Sequence, residues 1–128
     1  MKLMLAMLSF FTVLAAFTST TRTFADEKVL RHVVLFKFKD TATAAQIKQI
    51  EDAFRALPAQ IPQVKSFEWG TNVSPENLAQ GFTHCFLLTF SSDKDRDAYL
   101  VAPAHKAFGR LLTPQLDKVA VVDFWTQQ

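Results

Sequence analysis

Residues 99 to 109 read YLVAPAHKAFG. They hold a tyrosine and a histidine six positions apart, with a proline between them. A neutral imidazole takes up a proton near neutral pH, and a phenol donates to a developing oxyanion or orients a substrate oxygen. Tyr99 and His105 therefore form a candidate pair for proton abstraction beside a carbonyl. On one unbroken helix, six positions turn the chain by roughly 600°, about 120° off the starting face, so the two side chains would diverge. Pro103 prevents that helix. It disfavours helical geometry at Ala102 and suits the first position of a new helix. His105 then falls in the first turn, where the helix dipole disfavours the imidazolium. The spacing is equally that of a packing tyrosine followed by a helix-start histidine.

The other two histidines, His32 and His84, stand in runs that read as strands. Leu30 to Phe38 (LRHVVLFKF) alternates, with Leu30, His32, Val34, Phe36 and Phe38 on one face and Arg31, Val33, Leu35 and Lys37 on the other. Phe82 to Ser91 (FTHCFLLTFS) does the same, with Phe82, His84, Phe86, Leu88 and Phe90 sharing a face. A lone histidine among aromatics is usually a hydrogen-bonded core residue. Two on neighbouring strands, pointing the same way, suggest a lined cavity. No metal or cofactor site is expected: the sequence has no H-x-x-x-H, no CxxC, no carboxylate cluster near these histidines and no glycine-rich phosphate loop. Cys85, the single cysteine, cannot form an internal disulfide and reads as a buried, inert thiol.

Between these strands the pattern changes period. Ile47, Ile50, Phe54 and Leu57 recur at helical spacing, so Thr43 to Leu57 reads as a helix. Thr43 and Gln46 resemble a capping box, and Pro58 and Pro62 are expected to end the helix. Val64 to Val73 reads as a second strand with a bulge at Gly70. Asp93 to Val101 and Pro103 to Leu112 read as two short helices, and Lys118 to Trp125 as the last strand. The order β-α-β-β-α-β predicts an α+β, ferredoxin-like sandwich, an antiparallel sheet with helices on one face. The second sheet face is also apolar, through Val33, Leu35, Cys85 and Leu87. The last strand adds either Ala120, Val122 and Phe124 or Val119 and Val121. Such a face marks an interaction surface. A second copy packed sheet to sheet is the economical cover, giving a dimeric α/β barrel; the rival is a partly closed monomer.

The first 25 residues differ in kind. Met1-Lys2 gives a positive start, and Leu3 to Phe17 is apolar apart from Ser9 and Thr12. Thr23 and Ala25 sit as the −3 and −1 residues of a cleavage site. This predicts a signal peptide over 1–25, export to the periplasm or outside, and a mature domain over 26–128. An uncleaved anchor is the rival, but the apolar run of fifteen residues falls short of the roughly 20 a span needs. Cleavage removes Lys2 and Arg22, so the 14 basic residues fall to 12 against 12 acidic ones. A near-neutral chain without a clustered basic face does not suggest a nucleic-acid partner.

The stretches HVVLFKFKD (32–40), FEWGTNVSPE (67–76), GFTHCFLLTF (81–90), AYLVAPAHKAFG (98–109) and KVAVVDF (118–124) resemble the stress-responsive A/B barrel (Dabb) family, in the family's order and over about Leu30 to Trp125. The resemblance implies a ferredoxin-like fold that dimerises through its sheets. It also implies three alternative roles: binding a small apolar or aromatic molecule between sheet and helices, polyketide-cyclase-like catalysis, or a structural stress role without catalysis. By resemblance to the cyclase branch, the catalytic pair falls on Tyr99 and His105. The pocket walls fall on His32, Val34, Phe36, His84, Phe86 and Phe108. The family commonly has H-P-x-H where this chain has Ala102 before Pro103, so one polar group near the pocket mouth is missing.

Overall fold

The computed structural model describes residues 27–127; the expected signal segment, 1–25, lies outside them. The elements follow the order β1 (Leu30–Phe38), α1 (Ala44–Gln60), β2 (Ser66–Thr71), β3 (His84–Phe90), α2 (Asp93–Val101), α3 (Pro103–Leu112), a 3-10 turn (Thr113–Gln115) and β4 (Leu116–Trp125). The four strands form one antiparallel sheet in the order β2-β3-β1-β4. This is the α+β ferredoxin-like arrangement expected from the element order.

Alternation does the sorting. Every even-numbered residue of β1 from Leu30 to Phe38 is buried, and every odd-numbered one is half-buried. In β3, His84, Phe86, Leu88 and Phe90 are buried in the same way. The helices cover that face. Phe54 of α1 stacks on Phe86 with ring centroids 4.1 Å apart and meets Phe108 of α3 at 4.7 Å. Phe36 joins the group at 5.1 Å from Phe86. Burying each such ring stabilises the fold by about 1.5–3 kcal/mol.

Several local expectations shift. The capping box is present in both directions: Gln46 N donates to Thr43 Oγ1, and Thr43 N donates to Gln46 Oε1. Pro58 does not end α1, which runs on to Gln60. There is no bulge at Gly70, which pairs in register with Cys85. The irregularity falls instead between Lys37 and Phe38, in the pairing with β4. Phe82 lies just before β3 rather than within it. Residues paired across an antiparallel ladder share a face. The pairs Val33–Val122, Leu35–Ala120 and Arg31–Phe124 therefore place Ala120, Val122 and Phe124 on the outer face, and Val119 and Val121 on the helix side. Cys85 is exposed on the single chain rather than buried, because alternation turns it outward between Leu35 and Gly70. Among the described residues no helix is long and apolar enough to cross a membrane.

Candidate functional site

The helix break builds the site. Ser92 caps α2, accepting from Asp95 N, and α2 closes at Ala102. Ala102 is extended, with φ −59° and ψ 139°, as a residue before proline prefers to be, and Pro103 starts α3. The change of direction brings the two rings together: Tyr99 and His105 lie with centroids 4.5 Å apart at 54°. Both line a cavity of about 280 Å³ between α2, α3 and the inner face of β1 and β4. Val34, Phe36, Phe54, Phe108, Leu112, Val119 and Val121 form its apolar wall, and His32, Tyr99, His105 and Asp123 supply the polar groups. Val119 and Val121 are about half exposed, at 51% and 53%, so the cavity opens along the β4 edge.

The protonation states of the pair follow from their surroundings. His105 Nδ1 lies 3.1 Å from the Leu100 carbonyl oxygen. A carbonyl only accepts, so Nδ1 donates, and in the neutral ring Nε2 keeps its lone pair. Burial lowers the His105 pKa; the Leu100 hydrogen bond opposes this and the nearby His32 adds to it. Burial also pushes the Tyr99 hydroxyl well above its ordinary value, which keeps it a protonated donor. Among the described residues the Tyr99 hydroxyl has no hydrogen-bond partner, and no fully enclosed side-chain nitrogen or oxygen is left without one. The hydroxyl is therefore reached from the cavity.

Of the residues singled out from the sequence, Tyr99, His105, His32, Val34, Phe36 and Phe108 line this one cavity. His84 and Phe86 do not. His84 Nε2 donates to Glu51 Oε1 at 2.9 Å, and its Nδ1 lies 2.8 Å from Thr83 Oγ1. Trp69 stacks parallel to it. Phe86 is fully buried between the rings of Phe54 and Trp69. The ladder explains the separation: Phe36, four residues along β1 from His32, is the partner of His84, so the two histidines stand roughly 13 Å apart along the sheet.

Two polar residues were missed in the sequence. His32 Nδ1 donates to Asp123 Oδ1 at 2.6 Å, and Arg96 Nη1 donates to Asp123 Oδ2 at 2.6 Å. Burial alone would raise the Asp123 pKa, but the hydrogen bonds from Arg96 and His32 outweigh it and hold the carboxyl below its usual range. The signal was the acidic residue inside the apolar run KVAVVDFW, a placement that calls for a partner. No spacing rule points from it to Arg96 or His32. Among the described residues, no cluster of His, Cys, Asp and Glu could hold a metal ion.

Fold and site together define a ferredoxin-like protein with an apolar cavity carrying a small polar end. Residues 30–126 match the Stress Responsive A/B Barrel Domain, Dabb, and the chain belongs to that family. It is 39% identical over 95 residues to the stress-response A/B barrel domain-containing protein HS1 of Arabidopsis thaliana, covering 74% of this chain and 87% of that one. It is 32% identical to the olivetolic acid cyclase of Cannabis sativa, over 74% of this chain and 94% of the cyclase. Among solved structures, the hydroxynitrile lyase from Passiflora edulis superposes with a TM-score of 0.75 at 29% identity, over 80% of this chain and 96% of the lyase. A ferredoxin-like protein of unknown function from Thermobifida fusca yx, described as dimeric, matches with a TM-score of 0.67 at 27% identity, over 79% of this chain and 93% of that one.

Proposed function

We propose that this chain is exported, pairs with a second copy through its outer sheet face, and binds a small, largely apolar organic molecule in the cavity beneath Tyr99 and His105. One observation carries the binding site: a phenol donor and an imidazole acceptor face one space of about 280 Å³, otherwise lined by aliphatic and aromatic side chains. That is the usual make-up of a small-molecule site, though at the small end of the range. Pairing is supported by the exposed apolar outer face, where Val122 and Phe124 stand 59% and 46% exposed, and by the dimeric relative. Export rests on the composition of residues 1–25. A mature N-terminus at Asp26 in the secreted protein supports it; retention of Met1 overturns it.

A second reading, proton-transfer catalysis, is favoured by the opposite charge preferences of the pair. His105 is held neutral and able to accept, while Tyr99 is held protonated and able to donate. Two similar proteins bear the names of a cyclase and a lyase, chemistries that both require protons to be moved. Native mass spectrometry and crystal soaks with small aromatic alcohols and aldehydes test the binding site. Occupancy of the cavity is expected, and empty density at millimolar probe overturns it. For any compound turned over, His105→Gln is expected to lower kcat by about 100-fold or more, and Tyr99→Phe by about tenfold, with folding retained. Equal kcat in all three proteins removes the catalytic role.

A further inference from the structure

His32 belongs to the same cavity but is held differently from His105. Its Nδ1 is tied to Asp123, whose second oxygen is tied to Arg96 at 2.6 Å. Arg96 is itself fixed by a further bond from Nε to Asp97 Oδ1 at 2.8 Å. An ionised carboxylate only accepts, so Nδ1 must donate. The neutral ring then keeps its lone pair on Nε2. No described residue supplies Nε2 with a hydrogen bond, and no enclosed side-chain nitrogen lacks a partner. Nε2 is therefore open to the cavity that His32 lines. The Tyr99 ring lies 5.8 Å from that of His32 and 4.5 Å from that of His105. The polar end thus offers two acceptors flanking one donor.

The charges around it are closed. The Asp123 carboxylate is matched by Arg96, and no lysine or arginine lines the cavity. An entering carboxylate would face Asp123 with no cation of its own, whereas a neutral hydroxyl meets a prepared acceptor. We propose that His32 is a hydroxyl-accepting residue of the cavity, with Asp123 and Arg96 as its positioning residues, and that the cavity takes neutral hydroxyl compounds in preference to ethers or carboxylates of similar size. This rests on the cavity being a binding site, as proposed above.

Phenol, anisole and benzoate are suitable probes, because only phenol donates a hydrogen bond without carrying charge. In titrations of the mature protein at pH 7.5, phenol is expected to bind roughly fivefold tighter than anisole, as one net hydrogen bond would give, and benzoate more weakly than either. In Asp123→Asn the guanidinium still demands the amide oxygen, which leaves the amide NH₂ facing His32. The ring must then accept at Nδ1 and donate at Nε2. The phenol preference should vanish, and long-range ¹⁵N correlation spectra should show the His32 proton moving from Nδ1 to Nε2. Should Asp123→Asn fail to fold, His32→Leu, which removes the acceptor itself, is read for the loss of the phenol preference alone. An Nε2-protonated His32 in the unaltered protein overturns the proposal, as does a phenol preference unchanged in the variant. If none of the probes binds, the cavity itself is not a binding site and both proposals fall; the tautomer spectrum still reports on the clamp separately.

Discussion

His32 and His84 lie on neighbouring strands, β1 and β3, and both turn to the helix face of the sheet. Both are almost wholly buried, at 4% and 7% exposure, and each is bonded to a carboxylate, Asp123 or Glu51. Yet only His32 lines the cavity beneath Tyr99 and His105, and only His84 has both of its ring nitrogens bonded. His84 has partners at both ring nitrogens, with Trp69 stacked against it. His32 has a partner at one nitrogen only. The difference comes from what lies over each end of the sheet. At the His84 end, Glu51 of α1 reaches down and accepts from Nε2. At the His32 end, the helical layer bends at Ala102 and Pro103, and the bend leaves room. A buried histidine becomes available to a ligand when its neighbours satisfy only half of its hydrogen-bonding capacity.

This contrast predicts opposite consequences of the same substitution. His84→Leu should cost the most stability, about 2 kcal/mol, because the carboxylate of Glu51 and the hydroxyl of Thr83 lose their buried partner. Urea unfolding measures this loss, and binding of phenol should be unaffected. His32→Leu should cost less, about 1 kcal/mol, since Asp123 keeps its bond to Arg96; the preference for phenol over anisole should disappear. If both substitutions proved equally costly and equally harmless to binding, the division between a fully bonded and a half-bonded histidine would not hold.

The smallest effect concerns His105, the half-buried histidine on the same cavity. Burial lowers its folded pKa from the ordinary 6.5, so on acidification the unfolded chain takes up a proton before the folded one does. Its contribution is intact above about pH 6.5 and falls as the pH drops from there toward the folded value. In thermal melts, the wild type should lose more stability across that window than His105→Gln. An NMR titration of His105 with a midpoint above 6.5 would contradict this sign.

Much of the architecture was legible because it depends on local periodicity. The alternation in β1 and β3, the helical spacing of Ile50, Phe54 and Leu57, the capping box at Thr43 and the break at Pro103 all act within a few residues. Misjudgements fell where a local rule met tertiary support. Pro58 was expected to stop α1, but the helix carries on to Gln60, and Ile61 N still donates to the Leu57 carbonyl. Gly70 was expected to bulge, but it pairs regularly because Cys85 stands opposite it. His84 was grouped with His32 by facing direction, which strand alternation gives. Their distance along the sheet depends on the β1–β3 register, and alternation says nothing of that.

By itself, then, the sequence determined the order of elements, the faces of the central strands and the family to which the chain belongs. Those features follow from backbone periodicity, and from residue types that act on near neighbours. Only the tertiary structure decided that Tyr99 and His105 share one cavity, that His84 and Phe86 lie outside it, and that Arg96 and Asp123 hold His32. Arg96 and Asp123 are separated by 27 residues, and Asp123 and His32 by 91. Contacts over such distances are fixed by how strands pair and where helices bend, and no local pattern encodes them.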